Sequence, residues 1–239
     1  MLSIDKTIKE IEYGIMVGRF RPKQRLVESD LMAQFSVGRG IIRDSLKILA
    51  DRRLVSRDQN KGAIVTELSA KEIKELYHLR LYLEGLAGEL AFERISPKDI
   101  HELSRLQEKL NSYTRVDTTL VKLHEALHAI IFKASGNDFL VWQINALIVL
   151  AGPVRYFSYT QPDQREISMK DHHKMIQSLK KKDKEGFVEL CRNHMIPAMK
   201  AYIRVFFPKN ANSVLKDWEQ VVFPSPNHRT DRSKNRSFF

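Results

Sequence analysis

Apolar residues recur at intervals of three and four along most of the chain, and this spacing predicts helices. Residues 4–17 carry Ile4, Ile8, Ile11, Ile15 and Met16 on one face, a helix that stops before Gly18. A basic, proline-bearing connector (RFRPKQR, residues 19–25) leads to Leu26-Val27. Residues 28–35 bring Leu31, Met32 and Phe35 together, and residues 36–51 place Ile42, Leu46 and Leu49 at i, i+4 and i+7. Two short amphipathic helices joined through Ser36-Val37-Gly38 predict a helix-turn-helix. The period then changes. Residues 54–57 and 63–66 are β-prone runs flanking DQNKG, which has turn chemistry and places Lys61 and Gly62 near the tip of a hairpin. That order of elements predicts a winged helix over residues 1–68.

From Ser69 onward the pattern is helical. Ser69-Ala70-Lys71-Glu72 reads as a capping box opening a helix to about Phe92. Ser96-Pro97-Lys98-Asp99 opens another, with proline at the first helical position, toward Tyr113. Residues 116–134 form a third, stopped by Ser135-Gly136-Asn137. Residues 138–159 read as one long apolar helix bending at Gly152-Pro153. Residues 165–182 and 184–207 complete an all-α bundle of about six helices over residues 69–207. No long linker precedes it, so it should dock closely on the winged helix. In the extension, residues 208–239, only 212–222 keep a helical spacing (Val214, Leu215, Trp218), and the rest reads as flexible. The fold class is mainly α, with one small β-hairpin.

Composition narrows the chemistry. A net charge of +11 suits a polyanionic partner, although solubility alone accounts for such a value. The single cysteine, Cys191, excludes an internal disulfide and a cysteine-rich zinc site. No apolar run reaches the about 20 residues of a membrane span, and the charged N-terminus is not a secretory signal. A soluble cytoplasmic protein is expected.

Arg39 and Arg43, four apart, share a second face near the start of the predicted recognition helix. A helix in the major groove reads bases with its first turns, and arginine can bond O6 and N7 of guanine together. Gly38 and Gly40 bracket Arg39 and leave the backbone open to phosphates. Lys61 and Gly62 on the wing suit backbone or minor-groove contact. Solvated arginines on two packed helices fit the same spacing.

Eight histidines are present, and four form a pattern. His124 and His128 lie at i and i+4, so both rings can face one point. His172 and His194 stand on the last two predicted helices, either side of Asp183. Imidazole suits zinc, nickel, copper or iron(II). Solvated or core-capping histidines produce the same spacing. His173 should point away from His172; His78, His101 and His228 have no partner pattern and read as solvated.

The run GIMVGRFRPKQRLVESDLMAQFSVGRGIIRDSLKILADRRLVSRDQNKGAIVTELS resembles the winged helix of GntR-family bacterial transcription regulators. The following KEIKELYHLRLYLEGLAGELAF resembles the opening helix of the FCD effector domain in the FadR-like subfamily, and the likeness spans about residues 8–207. Gly38-Arg39-Gly40-Ile41 stands where the family shows Ser-Arg-Thr-Pro, and Ile42-Arg43-Asp44-Ser45 where it shows Val-Arg-Glu-Ala. Both arginines persist while the small hydroxyl residues do not. The resemblance implies a metal set of His124, His128, His172 and His194, with His124 where the family has aspartate.

An all-histidine set brings no charge to offset a dication, zinc or nickel foremost, which favours an anionic effector. A small carboxylate would ligate the metal and meet Arg80 or Arg155, with Asn137 counted in the same pocket. An Arg80–Glu84 ion pair at i, i+4 is the plain structural alternative for Arg80. Tyr82, Tyr156 and Tyr159 suit either a cavity wall or a core.

The implied function is a non-enzymatic, effector-controlled repressor, a homodimer on an inverted-repeat operator. Two alternatives stand beside it: a metal-dependent helical-bundle enzyme, and a DNA-binding protein whose helical domain takes no effector. Against the enzyme, four histidines saturate a tetrahedral metal and no general base stands at motif spacing.

Overall fold

The computed structural model describes residues 3–58, 62–216 and 218. Helix α1 (Ile4–Met16) is capped by the Ser3 hydroxyl, and Gly18 at φ +75° turns the chain out of it. Helices α2 (Glu28–Phe35) and α3 (Arg39–Asp51) form the helix-turn-helix. Between them Ser36 adopts φ 52° and Val37 is buried, which makes a sharp turn pinned to the core. Ile8, Ile11 and Ile15 of α1 pack with Leu31, Phe35, Ile42, Leu46 and Leu49 in one cluster. The wing is β2 (Val55–Asp58) and β3 (Gly62–Val65), antiparallel with Val55 opposite Val65. A further strand, β1 (Arg25–Leu26), pairs with β3 to give the order β1-β3-β2. The sequence reading left β1 inside a connector, because two residues carry no periodicity and the pairing is with residues far along the chain.

The helical domain begins with α4 (Ala70–Phe92), closed by the reciprocal Ser69–Glu72 capping box, and α5 (Pro97–Ser112), closed by the same device at Ser96 and Asp99. Helix α6 (Thr118–Ala134) is capped by Asp117, and α7 (Asp138–Leu150) by Asn137. The predicted long helix ends here: α8 (Gly152–Thr160) leaves α7 at 64°. The bend lets α1 approach, since a Cβ on Gly152 would lie 3.2 Å from Met16. Val149 and Leu150 accordingly pack against the winged-helix core. The two domains are thereby in direct contact.

Helix α9 (Pro162–Lys181) is followed by α10 (Lys184–Asn193) and α11 (Ile196–Phe206), which share the stretch predicted as one helix and break at His194-Met195 before Pro197. The bundle over residues 70–206 thus has eight helices rather than about six. Helix α12 (Ala211–Lys216) packs back on α4, with Ala211 buried, and the Trp218 ring stacks on His78 at 4.3 Å. His78 is therefore covered, not solvated, and this part of the extension is attached to the bundle. Residues 219–239 lie outside the described residues.

Helix α4 runs through the middle of the bundle. Its Gly85 and Gly88 let α10 come close: a Cβ on Gly88 would sit 2.8 Å from the Cys191 Cβ and 2.9 Å from its Sγ. Buried Cys191 is free, as its single occurrence requires. Among the described residues no single helix is long and apolar enough to cross a membrane; α7 and α8 reach that only together, across their bend. We expect Gly88→Val to lower stability by about 1–3 kcal/mol through overpacking, read from urea midpoints. An unchanged midpoint would contradict this close α4–α10 contact.

Candidate functional site

The start of α3 presents an open cationic surface. Arg39 is exposed and makes no ion pair among the described residues. Gly38 is the N-cap and supplies no side-chain bond, so the first-turn N–H groups of α3 are without a side-chain cap. A Cβ on Gly38 or Gly40 would meet nothing within 4 Å, which leaves room for an approaching backbone. Arg43 Nε donates to both carboxylate oxygens of Glu28, at 3.2 and 3.1 Å. That pair is largely solvent-exposed, so releasing Arg43 to a base costs less than about 1 kcal/mol. Gly62 opens β3 opposite Asp58, and Lys61 lies outside the described residues.

The histidines converge inside the helical domain. Helix α6 supplies His124 and His128 one turn apart, and α9 supplies His172. One nitrogen from each of these three lies within 4.8 Å of the others, and His128 Nε2 stands 3.2 Å from His172 Nε2. His194, at the C-cap of α10, stacks its ring on His128 at 4.9 Å but does not join that triad of nitrogens. Its Nδ1–H donates to the Leu190 and Cys191 carbonyls at 3.1 Å. Carbonyls only accept, so the proton sits on Nδ1 and Nε2 keeps its lone pair. His173 is exposed, pointing away as its position on the helix predicts.

These rings cannot readily charge. Burial lowers the pKa of His124 to about 3, helped by Arg155 and Arg165. Burial and the neighbouring imidazoles hold His128 and His172 well below the ordinary value, and burial lowers His194 too. Neutral imidazole is the form that ligates a metal. Tetrahedral zinc with nitrogens at ~2.0–2.1 Å separates its ligands by roughly 3.3 Å, close to the 3.2 Å between His128 and His172. The buried His124 Nε2 also has no hydrogen-bond partner among the described residues. The donor set therefore fits a borderline divalent ion.

Beside the rings lies a cavity of about 50 Å³ lined by His124, His128, His194, Arg80, Glu84 and Arg155, among others. Arg80 and Glu84 form the i, i+4 ion pair, with Nε to Oε1 at 2.8 Å, and both are almost fully buried. Arg80 Nη1 and Glu84 Oε2 have no hydrogen-bond partner among the described residues, and both residues line the cavity. The Arg80 guanidinium also lies over the Tyr77 ring at 4.7 Å. Arg155 Nη2 donates to the Tyr159 hydroxyl at 3.2 Å, and Nη1 stands 3.8 Å from the half-exposed Glu125 carboxylate.

Asn137 is elsewhere: it is exposed and its side chain caps α7 by accepting from Leu140 N–H at 3.0 Å. A turn position in the sequence does not reveal which side of a helix terminus it serves. Of the tyrosines, Tyr159 lines the cavity, Tyr82 is on the outer surface, and Tyr156 lines a different cavity. Tyr77, which the sequence pattern does not single out, also lines the cavity, as does Glu84, expected only as a partner for Arg80. Their spacing, Tyr77-Arg80-Glu84 at i, i+3 and i+7 on α4, was the available signal.

Residues 75–196 match the FCD domain family, and residues 4–65 match the family described as bacterial regulatory proteins, gntR family. The chain is 30% identical over 183 residues to an uncharacterized HTH-type transcriptional regulator, YdhC of Bacillus subtilis, covering 74% of this chain and 80% of that one. It is 29% identical over 193 residues to the gluconate operon transcriptional repressor of Bacillus subtilis, covering 75% and 76%. Among solved structures it is similar to E. coli McbR/YncC, with a TM-score of 0.71 at 25% identity, covering 87% of this chain and 99% of that one.

The histidines tie stability to pH. Each is neutral in the fold and free to protonate once the chain unfolds. A base whose folded pKa is depressed has no effect above its unfolded value and destabilises as pH falls below it. For His124 the window runs from about 6.5 down to about 3, with a limiting slope of ~1.4 kcal/mol per pH unit. The metal-free protein should unfold at lower urea at pH 5 than at pH 7, and His124→Gln should make that dependence shallower. A midpoint unchanged between the two pH values would contradict buried, neutral rings.

Proposed function

The chain belongs to the GntR family of bacterial regulatory proteins, with an FCD domain, and is a transcription regulator rather than an enzyme; from that premise we propose that it is a cytoplasmic, homodimeric repressor released from an inverted-repeat operator by a small carboxylate held beside a divalent metal. The observation that carries the reading is the meeting of three histidines, His124, His128 and His194, with the buried Arg80 and the partly buried Arg155 around one small cavity, with His172 beside His128. Relatives named as gluconate operon repressors support repression as the mode of action.

In this reading Arg39 and Arg43 read bases, while the open backbone at Gly38 and Gly40 and the wing with Lys61 and Gly62 meet phosphates. His124, His128 and His172 would hold the ion, zinc or nickel first, with His194 beside them. The metal would supply positive charge and an open coordination position for the acid. Arg80 Nη1, which has no hydrogen-bond partner among the described residues, donates to a carboxylate oxygen, and Arg155 approaches from the facing helix α8. At about 50 Å³ the cavity admits an acid of only a few heavy atoms.

A route to the DNA-binding domain runs through α8. The helix carries Arg155 and Tyr159 into the cavity, and its first residue, Gly152, abuts Met16 at the end of α1. A ligand that draws Arg155 inward would move the surface on which α1 rests. Only a ligand that binds one arrangement more tightly can shift the balance. For the dimer, Leu79, Tyr82 and Leu86 on α4 and Phe139 and Trp142 on α7 are exposed apolar side chains on two helices that pack together. Such a patch suits a second copy of the chain.

The test is fluorescence anisotropy on an operator selected from random DNA. Wild type should bind it as a dimer and release it on addition of one of a panel of two- to four-carbon carboxylates. Arg39→Ala should lose binding by roughly 10-fold or more, and Arg155→Gln should bind DNA but ignore the acid. Release of wild type by no member of the panel, with the protein metal-loaded, would contradict carboxylate control.

A further inference from the structure

A second cavity lies between the domains. At about 540 Å³ it is tenfold larger than the one beside the histidines, and within the usual size of a small-molecule site. Ile15, Met16 and Leu54 face it from the winged helix, and Phe157, Tyr202 and Phe206 from α8 and α11. The aromatic wall is self-supporting, since Phe157 meets Tyr202 and Phe206 edge-on at 5.5 Å.

The charged groups on this wall are Arg53 and Glu67. Glu67 is neutralised by Lys23 at 2.5 Å. Arg53 has no carboxylate within ion-pair distance among the described residues. It sits at φ 61°, a left-handed conformation that costs a residue with a side chain. The cavity thus offers a broad apolar surface with one cation at its edge, whose only carboxylate interaction among the described residues is the long-range pull on Glu72.

We propose that this interdomain cavity is a second ligand site, taking an apolar aromatic anion of drug-like size whose occupancy fastens the winged helix to the helical domain. A molecule of that kind buries its rings against Phe157, Tyr202 and Leu54 and sets its carboxylate or sulfonate on Arg53. Because its walls come from both domains, such a ligand binds the docked arrangement better than a parted one, and so favours it. Its chemistry and size separate it from the small acid assigned to the histidine cavity, and the proposal does not depend on that assignment.

The probe is 8-anilinonaphthalene-1-sulfonate, titrated into the full chain by fluorescence and calorimetry, with neutral N-phenyl-1-naphthylamine as its uncharged counterpart. The sulfonate should saturate at about one per chain. Arg53→Asn keeps a residue that tolerates positive φ, and should weaken the sulfonate by roughly tenfold, the scale of a charge-assisted hydrogen bond, while leaving the neutral probe unchanged. Thr160→Trp, at an exposed position on the cavity rim, should weaken both. His172→Ala should alter neither, which separates this site from the histidine cavity. Non-saturable binding, or saturable binding indifferent to both cavity variants, would overturn the proposal. So would a site that opens only after removal of residues 219–239, since the occupant would then be the chain's own C-terminus.

Discussion

The bundle is built around an ion pair that water does not reach. Arg80 and Glu84 lie in the middle of α4, 4% and 1% exposed at their side chains, and face each other one turn apart. Removing one partner from such a pair costs about 3–5 kcal/mol, because the other charge stays buried alone. The surroundings answer that cost with the Tyr77 ring over the guanidinium and with glycines that let α10 close over the next turn. Two atoms of the pair have no partner among the described residues, and both residues line the histidine cavity. An apolar residue at these positions would satisfy packing alone; a charged pair with spare bonding capacity suits the charged ligand proposed for this cavity.

Position then links that cavity to the winged helix. Helix α8 begins against Met16 and ends among the cavity walls, so one nine-residue helix touches both the winged helix and Arg155's surroundings. The break at Ala151 makes this possible. A straight continuation of α7 would carry Arg155 away from the histidines and leave α1 without its seat. The four donors named from the sequence come from three helices, and the fold delivers three of their nitrogens to one point while His194 lies alongside.

Local chemistry was legible in the sequence. Both capping boxes, at Ser69–Glu72 and Ser96–Asp99, follow from residues three apart. The turn of the helix-turn-helix and the wing follow from short-range signals as well. What escaped depends on partners far along the chain. Strand β1 exists because β3 pairs with it, and α8 separates from α7 because α1 needs the space. Trp218 covers His78 across the length of the helical domain, which no periodicity encodes. Asn137 shows the opposite failure, a residue with conspicuous neighbours whose side-chain oxygen caps a helix. The interdomain cavity was invisible for the same reason as β1: its walls come from segments distant in sequence.

The most direct test of the account is the metal content of protein purified without a histidine tag, for wild type and for His172→Ala. The account predicts close to one divalent ion per wild-type chain and none in the variant, with folding of the variant confirmed by circular dichroism. A wild-type protein that takes up no ion even after supplementation with zinc and nickel would contradict the metal-bearing site, and would leave Arg80 and Arg155 as the cations lining the cavity, among the described residues, that could hold an acid there.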